Sequence, residues 1–327
     1  MKTRFRLPLL AAAAWAAFTG CALAQNFPSR TITLVVPFAA GGPSDAIGRL
    51  LAQSMSTTLK QQVVIENVAG AGGTTAAARV AKAEADGHTI LIHHIALPAS
   101  ASLYKNLSYD TVGDFETLGL VNFGPMVLAS KKDFAARDAK ELFANLKADG
   151  AKITLAHAGI ASNSHLCGLL MQQALGVKVT EVAYRGTGPA MNDLVSGQVD
   201  ILCDQSTTAV PQIQGNTIKA FAVTSSGRLD TLATVPTMKE AGLSDFEFVI
   251  WHGLYAPKGT PKEAVAALNQ ALRGAVADPQ VRSRFADVGT QVFPAAELTP
   301  PAHRARLETE VAKWRDVIAK AGLSASN

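Results

Sequence analysis

Apolar and polar positions along this chain switch between two periods, and the switching recurs in series. Residues 31–36 and 63–66 are short apolar runs of strand type, whereas Ile47, Leu50, Leu51 and Met55 recur at helical spacing. A helix is expected from Thr74, with Val80 and several alanines on its packing face, before Asp86-Gly87 turns the chain into a third strand over 89–93. A loop containing Pro98 is expected next, then an extended run over 117–128 interrupted by Gly124-Pro125. The series begins again with strands over 153–156, 179–183, 199–203 and 219–223, and Leu166, Leu169, Leu170 and Ala174 make an apolar helix face. Another extended run, 247–256, carries Trp251, His252 and Tyr255, and helices over 261–276, 279–288 and 300–321 finish the chain. This β-α-β-α order predicts an α/β fold with mostly parallel sheet. Two βαβ lobes of similar size, crossings near 120–128 and 247–256, and a helical tail returning to the first lobe describe a hinged architecture.

The first residues change the reading of charge. Lys2, Arg4 and Arg6 precede an apolar stretch over 7–18, and Ala22-Leu23-Ala24 before Gln25 has the form of a signal-peptide cleavage site. Residues 1–24 are therefore expected to be a leader and the chain to be exported to the periplasm. Gly20-Cys21 also has the form of a lipoprotein acylation site, but soluble release is preferred because Phe18 replaces the usual Leu and a good Ala-x-Ala site follows. Loss of the leader removes three cations and no acid, so the formal net charge falls from +4 to +1. Nothing then points to nucleic acid or to a polybasic membrane surface. Cys167 and Cys203 remain, and both a disulfide and two buried thiols are open in an oxidising compartment.

One motif occurs twice: a strand runs into a Gly/Pro-rich turn that opens a helix. The first copy, Thr31 to Asp45, ends Pro37-Phe38-Ala39-Ala40-Gly41-Gly42-Pro43-Ser44-Asp45, and the second, Val182 to Asp193, carries Tyr184-Arg185-Gly186-Thr187-Gly188-Pro189. A helix N-terminus presents unsatisfied N–H groups and about half a positive charge, so it attracts anions. Two such turns in separate lobes suggest one anion gripped from both sides, at the carboxyl ends of the strands.

These residues resemble the tripartite tricarboxylate transporter receptors, the Bug-type periplasmic solute-binding proteins. The resemblance continues through Glu66-Asn67-Val68-Ala69-Gly70-Ala71-Gly72-Gly73, Ala85-Asp86-Gly87-His88-Thr89, Gly197-Gln198-Val199-Asp200, Val235-Pro236-Thr237 and Ala256-Pro257-Lys258-Gly259-Thr260-Pro261. It implies a type II periplasmic binding protein: two Rossmann-like lobes, two crossover connections and a C-terminal helical tail. Residues 25–124 with 252–327 would form one lobe and 125–251 the other. The resemblance further implies a monomeric receptor that holds a small carboxylate, expected to be an aliphatic or aromatic dicarboxylate, and passes it to membrane permease subunits without a cofactor. Phe38, Ala39, Ala40, Gly41, Gly42, Pro43, Ser44 and Asp45 would face the ligand from one lobe. Ala161, Ser162, Asn163, Ser164, Gly186, Thr187, Gly188, Pro189 and Asp204 would face it from the other.

Several of these residues have a plainer reading. Asp45 and Asp193 lie just inside expected helix starts, where a carboxylate suits the helix dipole. His93 and His94 invite a metal, but adjacent residues on a strand point to opposite faces; one is expected in the core and the other as a donor to the ligand. No His-Glu-x-x-His occurs, so no metal site is expected. Gly70-Ala71-Gly72-Gly73 lacks the dinucleotide-binding order, and neither a Walker lysine motif nor a Gly-x-Ser-x-Gly elbow is present. A receptor is thus preferred to the contrasting reading, a metal-independent hydrolase on a Rossmann-like scaffold.

Overall fold

The computed structural model describes residues 27–322, so the leader and Cys21 lie outside the described residues. The first lobe opens with β1 (Ile32–Val36), α1 (Pro43–Leu59), β2 (Val63–Asn67), α2 (Thr74–Ala81) and β3 (Thr89–His94). α3 (Ala96–Leu103) follows where a loop was expected. Pro98 is compatible with that helix because it lies in the first turn, where its missing N–H has no intrahelical partner to lose. β4 (Phe115–Lys131) then carries the chain into the second lobe.

That lobe comprises α4 (Ala139–Asp149), β5 (Thr154–His157), α5 (Asn163–Leu175), β6 (Thr180–Ala183), α6 (Thr187–Val195), β7 (Ile201–Gln205), α7 (Ser206–Gln214) and β8 (Ile218–Val223). β9 (Val249–Pro257) returns the chain to the first lobe. α8 (Lys262–Ala277), α9 (Pro279–Asp287), β10 (Gln291–Val292) and α10 (Pro300–Ala321) complete the tail.

The first-lobe sheet runs β2-β1-β3-β9-β4, with β10 on the outer edge of β4; in the second lobe β4 is flanked by β8 and by β7-β5-β6. Gly124-Pro125 does not interrupt β4. Gly124 and Pro125 are the last residues paired with β9, and from Met126 onward the strand pairs with β7. The proline thus falls where one partner gives way to another, and β4 is itself one of the two crossings. The other crossing is held by Thr224, which is fully buried. Thr224 donates its N–H to the Met126 carbonyl (3.0 Å) and accepts the Met126 N–H on Oγ1 (2.8 Å), while its carbonyl accepts the Phe248 N–H (2.9 Å).

Alternation along β1 decides the first-lobe core. Leu34 and Val36 face α1 and α8 through Ile47, Leu51, Met55, Leu268 and Leu272, whereas Val35 faces Ala76, Val80 and Leu307. Both faces are covered, as a parallel sheet requires. The tail returns to this lobe: Arg304 donates to the Val112 and Phe115 carbonyls, and the His303 ring fills the space beside Gly253 that a side chain there would occupy.

Cys167 of α5 and Cys203 of β7 are joined by a disulfide with a Cα–Cα distance of 6.2 Å. It ties together the two elements whose leading ends carry Asn163 and Asp204. For a closed loop of this length, chain-entropy arguments give about 4 kcal/mol of stabilisation. We expect the Cys167→Ser/Cys203→Ser variant, or wild type under reductant, to lose about that much in urea unfolding; an unchanged midpoint would show that the bond contributes nothing.

Candidate functional site

Four helices point their N-termini at one enclosed space between the lobes. Gly42, Pro43 and Ser44 at the start of α1, Ser162, Asn163 and Ser164 at α5, Thr187 at α6, and Gln205 before α7 all line it. Phe38, His94, Met126, Ala158 and Asp204 complete the wall, and no Lys or Arg takes part. The attraction for an anion therefore comes from first-turn N–H groups and helix dipoles. Serine supplies the local order at α5: the Ser162 hydroxyl caps His165 N–H, and Ser164 Oγ accepts Ala158 N–H at 2.8 Å.

The predicted residues fall into four groups. Phe38, Gly42, Pro43, Ser44, His94, Ser162, Asn163, Ser164, Thr187 and Asp204 reach the cavity. Ala39, Ala40, Gly41, Gly186 and Gly188 instead form the seam where the lobes meet: Ala39 N–H donates to the Arg185 carbonyl across it at 3.1 Å, and an added Cβ on Gly188 would lie 2.5 Å from the Ala40 carbonyl oxygen. Pro189 sits in the first turn of α6, away from the wall. Asp45, His93 and Ala161 lie behind it. The Asp45 carboxylate accepts Gly41 N–H, Arg49 Nε and Asn67 Nδ2, each at 3.0 Å, so it shapes the turn and has little left for a ligand. Its pKa is lowered: burial pushes it up, and the bonds to Arg49, Gly41 and Asn67 outweigh that. Asp193 likewise accepts the Tyr184 hydroxyl at 2.6 Å.

A second clasp closes the lobes. The Tyr104 hydroxyl lies 2.9 Å from the Ala71 carbonyl and 3.0 Å from the Ile160 carbonyl, one in each lobe. Gly72, at φ +62°, leaves room for Ile160, whose oxygen would be 1.8 Å from an added Cβ. In the clasped state the space between the lobes has a volume of about 20 Å³, room for roughly one or two waters. Ligand entry therefore requires the lobes to part.

His93, His94 and His252 are buried, and burial keeps them neutral. His94 stacks on Phe38 with ring centroids 5.0 Å apart, and its Nδ1 accepts Ala96 N–H at 3.1 Å. The proton then resides on Nε2, which makes His94 a neutral donor. Burial lowers its pKa well below the usual value, and the neighbouring His93 and His252 lower it further. His93 lies in β3, as the expected strand over 89–93 had it, with its Nδ1 taken by the His94 N–H at 2.9 Å. His252 stands 3.3 Å from Ser44 Oγ. It escaped the sequence reading because only the pairing of β3 with β9 sets it opposite His94. Met126, Ala158 and Gln205 escaped it too; of these only Gln205, next to Asp204, carried a local polar signal.

His157, His165 and Glu181 bring possible ligand atoms within 4.8 Å of one another. The Nδ1 atoms of both histidines accept N–H groups, from Gly159 and Ala161, so their protons lie on Nε2. A metal needs that nitrogen deprotonated, with the other donating outward. The trio instead fixes the turn before α5, where Ala161 is held at φ 69°.

Two predictions follow from this geometry. Alanine suits a helix better than glycine, so Gly188→Ala should keep the unliganded melting temperature while lowering affinity at least about tenfold (about 1.4 kcal/mol). Wild-type affinity in calorimetry would show that the seam does not control closure. Second, His93 and His165 titrate at about 4, and His252 and His303 at about 3, because burial disfavours their charged forms. The unfolded chain takes up these protons near pH 6.5 and the folded chain does not. Their stabilisation is thus complete above pH 6.5 and is lost on acidification towards pH 4, by up to about 1.4 kcal/mol per unit for each group. Asp204, raised to about 6 mainly by burial, works in the opposite sense as a single group. The urea midpoint should fall steeply from pH 6.5 to 4.5, and a flat profile would contradict this balance.

Similarity to known proteins agrees with the architecture. The structure of the periplasmic binding protein BugD shares 45% identity and superposes with a TM-score of 0.90, covering 92% of this chain and all of that one. MatC from Rhodopseudomonas palustris, solved with bound malate, shares 40% identity with a TM-score of 0.87 over 89% of this chain and all of its own. A protein encoded in the ttuE–ttuC′ intergenic region of Agrobacterium vitis is 45% identical over 91% of this chain and 86% of its own length. Residues 47–323 match the family described as the tripartite tricarboxylate transporter family receptor. The chain belongs to that family of Bug-type periplasmic solute-binding receptors.

Proposed function

We propose that this protein is a periplasmic receptor that captures a small organic dicarboxylate between its lobes and delivers it to the permease of a tripartite tricarboxylate-type transporter. The observation that carries this reading is the convergence of four helix N-termini on one cavity that lacks cationic side chains. One carboxylate meets Phe38, Gly42 and Ser44, and the far one meets Ser162, Ser164 and Thr187. Residues 25–124 with 252–327 move against 125–251, hinged at Met126 and Thr224. The polar far wall of Ser162, Ser164 and Thr187 favours a diacid over a monocarboxylate with an apolar tail, and the malate bound to MatC is a diacid. The surfaces flanking the cleft form the docking face for the permease, since they alone report closure. Binding and release suffice for this task, so the protein is not an enzyme.

The test joins binding to uptake. In a thermal-shift series of mono-, di- and tricarboxylates, a short diacid at a hundred times its Kd should stabilise the protein by about 2.7 kcal/mol. Cells lacking the receptor should lose uptake of that same acid. Stabilisation by sugars or cations alone, or undiminished uptake, would sink the reading.

A further inference from the structure

One carboxylate on the cavity wall runs against the rest of the site. Asp204, in β7, is 1% exposed. Thr208 donates to its Oδ2, while its Oδ1 is buried without a partner. On the same wall the Oδ1 of Asn163 is a second buried acceptor that no donor reaches. A diacid whose far carboxylate meets Ser162, Ser164 and Thr187 lies against this wall and brings only more acceptors. Its two ionised carboxylates and an ionised Asp204 would place three negative charges in a space that, among the described residues, no Lys or Arg lines.

The elements packed around Asp204 supply no compensating cation. α7, which follows it, carries no titratable residue. β4 brings Lys131, but its Nζ is bound to Asp200 at 2.9 Å, at the opposite end of β7. β5 and α5 bring His157 and His165, both held towards the neutral form by burial, and Cys167 is in the disulfide. α6 brings Asp193, which is taken by Tyr184, and Arg185 in the turn before it is exposed. Across the cavity stand Asp45 of α1, already paired with Arg49, and the neutral rings of His94 and His252.

We propose, resting on the dicarboxylate-receptor reading above, that the closed receptor holds its diacid together with one proton, which lies between Asp204 Oδ1 and the far carboxylate of the ligand. The proton comes from solvent while the lobes are apart and is enclosed when they close. It turns an orphaned acceptor into a donor and replaces a like-charge repulsion by a hydrogen bond. Asp204 thus sets the protonation state in which the acid is carried. Burial has already raised its pKa to about 6 in the unliganded protein, and a second carboxylate beside it raises it further. From pH 6 up to that higher value the complex binds more protons than its separated parts. Affinity therefore falls as pH rises, approaching about tenfold per unit.

Calorimetry with malate and with succinate, at pH 7 in two buffers of different ionisation enthalpy, tests this. Wild type should take up close to one proton per acid bound, and its Kd should rise at least about fivefold from pH 6.5 to 7.5. In Asp204→Asn the uptake should vanish and the pH dependence flatten, because the amide donates the same bond without a proton. Infrared difference spectra give a second reading that needs no variant: the wild-type complex should gain a protonated-carboxyl C=O band absent from protein and acid alone. Binding without proton uptake, or without that band, overturns this inference and leaves the receptor reading standing. Uptake that survives in Asp204→Asn overturns the assignment to Asp204. If neither acid binds, the inference falls, and the wider carboxylate series decides whether the receptor reading falls with it.

Discussion

A single strand shared by two sheets constrains everything else in this molecule. β4 is 17 residues long; its first part pairs with β9 and its last part with β7 and β8. Strand pairing is rigid within each sheet, so relative motion of the lobes is confined to the few residues at which β4 changes partners. Thr224 bonds to both crossing segments there, at Met126 and at Phe248, and couples them into one joint. Met126 also lines the cavity, so the joint and the site share a residue.

The site follows from where the strands end. Both lobes direct the carboxyl ends of their parallel strands towards the cleft, and each strand there feeds a helix. Helix N-termini thus converge without any cationic side chain having to be buried. The advantage is energetic: partial charges fixed on the backbone need neither the desolvation of a full charge nor the ordering of a long side chain. Buried neutral histidines fit the same economy. His94 offers a donor without a charge, and His252 beside Ser44 adds a polar contact that burial keeps uncharged.

Closure depends on what is missing. Gly188 against Ala40, and Gly72 against Ile160, let the two backbones approach more closely than any side chain permits. The disulfide and the caps of α5 then hold the second-lobe wall in one arrangement, so that closure presents a formed surface. Asp204 stands in this wall as the one carboxylate facing a site that otherwise attracts anions.

By itself the sequence determined the periodicity, and with it the α/β class, the two lobes, the crossings and the returning tail. Strands and helices of this length write their burial into local spacing, so 31–36, 63–66 and the C-terminal helices lie within a residue or two of expectation. The two Gly/Pro turns were legible for the same reason, since backbone geometry demands those residue types locally. Local spacing misled at Pro98, where a proline tolerated in a first turn reads as a loop, and at Gly124-Pro125, where a change of partner reads as a break. Only the tertiary structure decided which turn residues reach the cavity and which form the seam, because Ala40 and Gly188 are defined by their contact across the lobes. It alone set His252 opposite His94 and left Asp204 Oδ1 without a partner. Pairing between residues far apart in the chain, and the desolvation that comes with it, leave no period in the sequence to read.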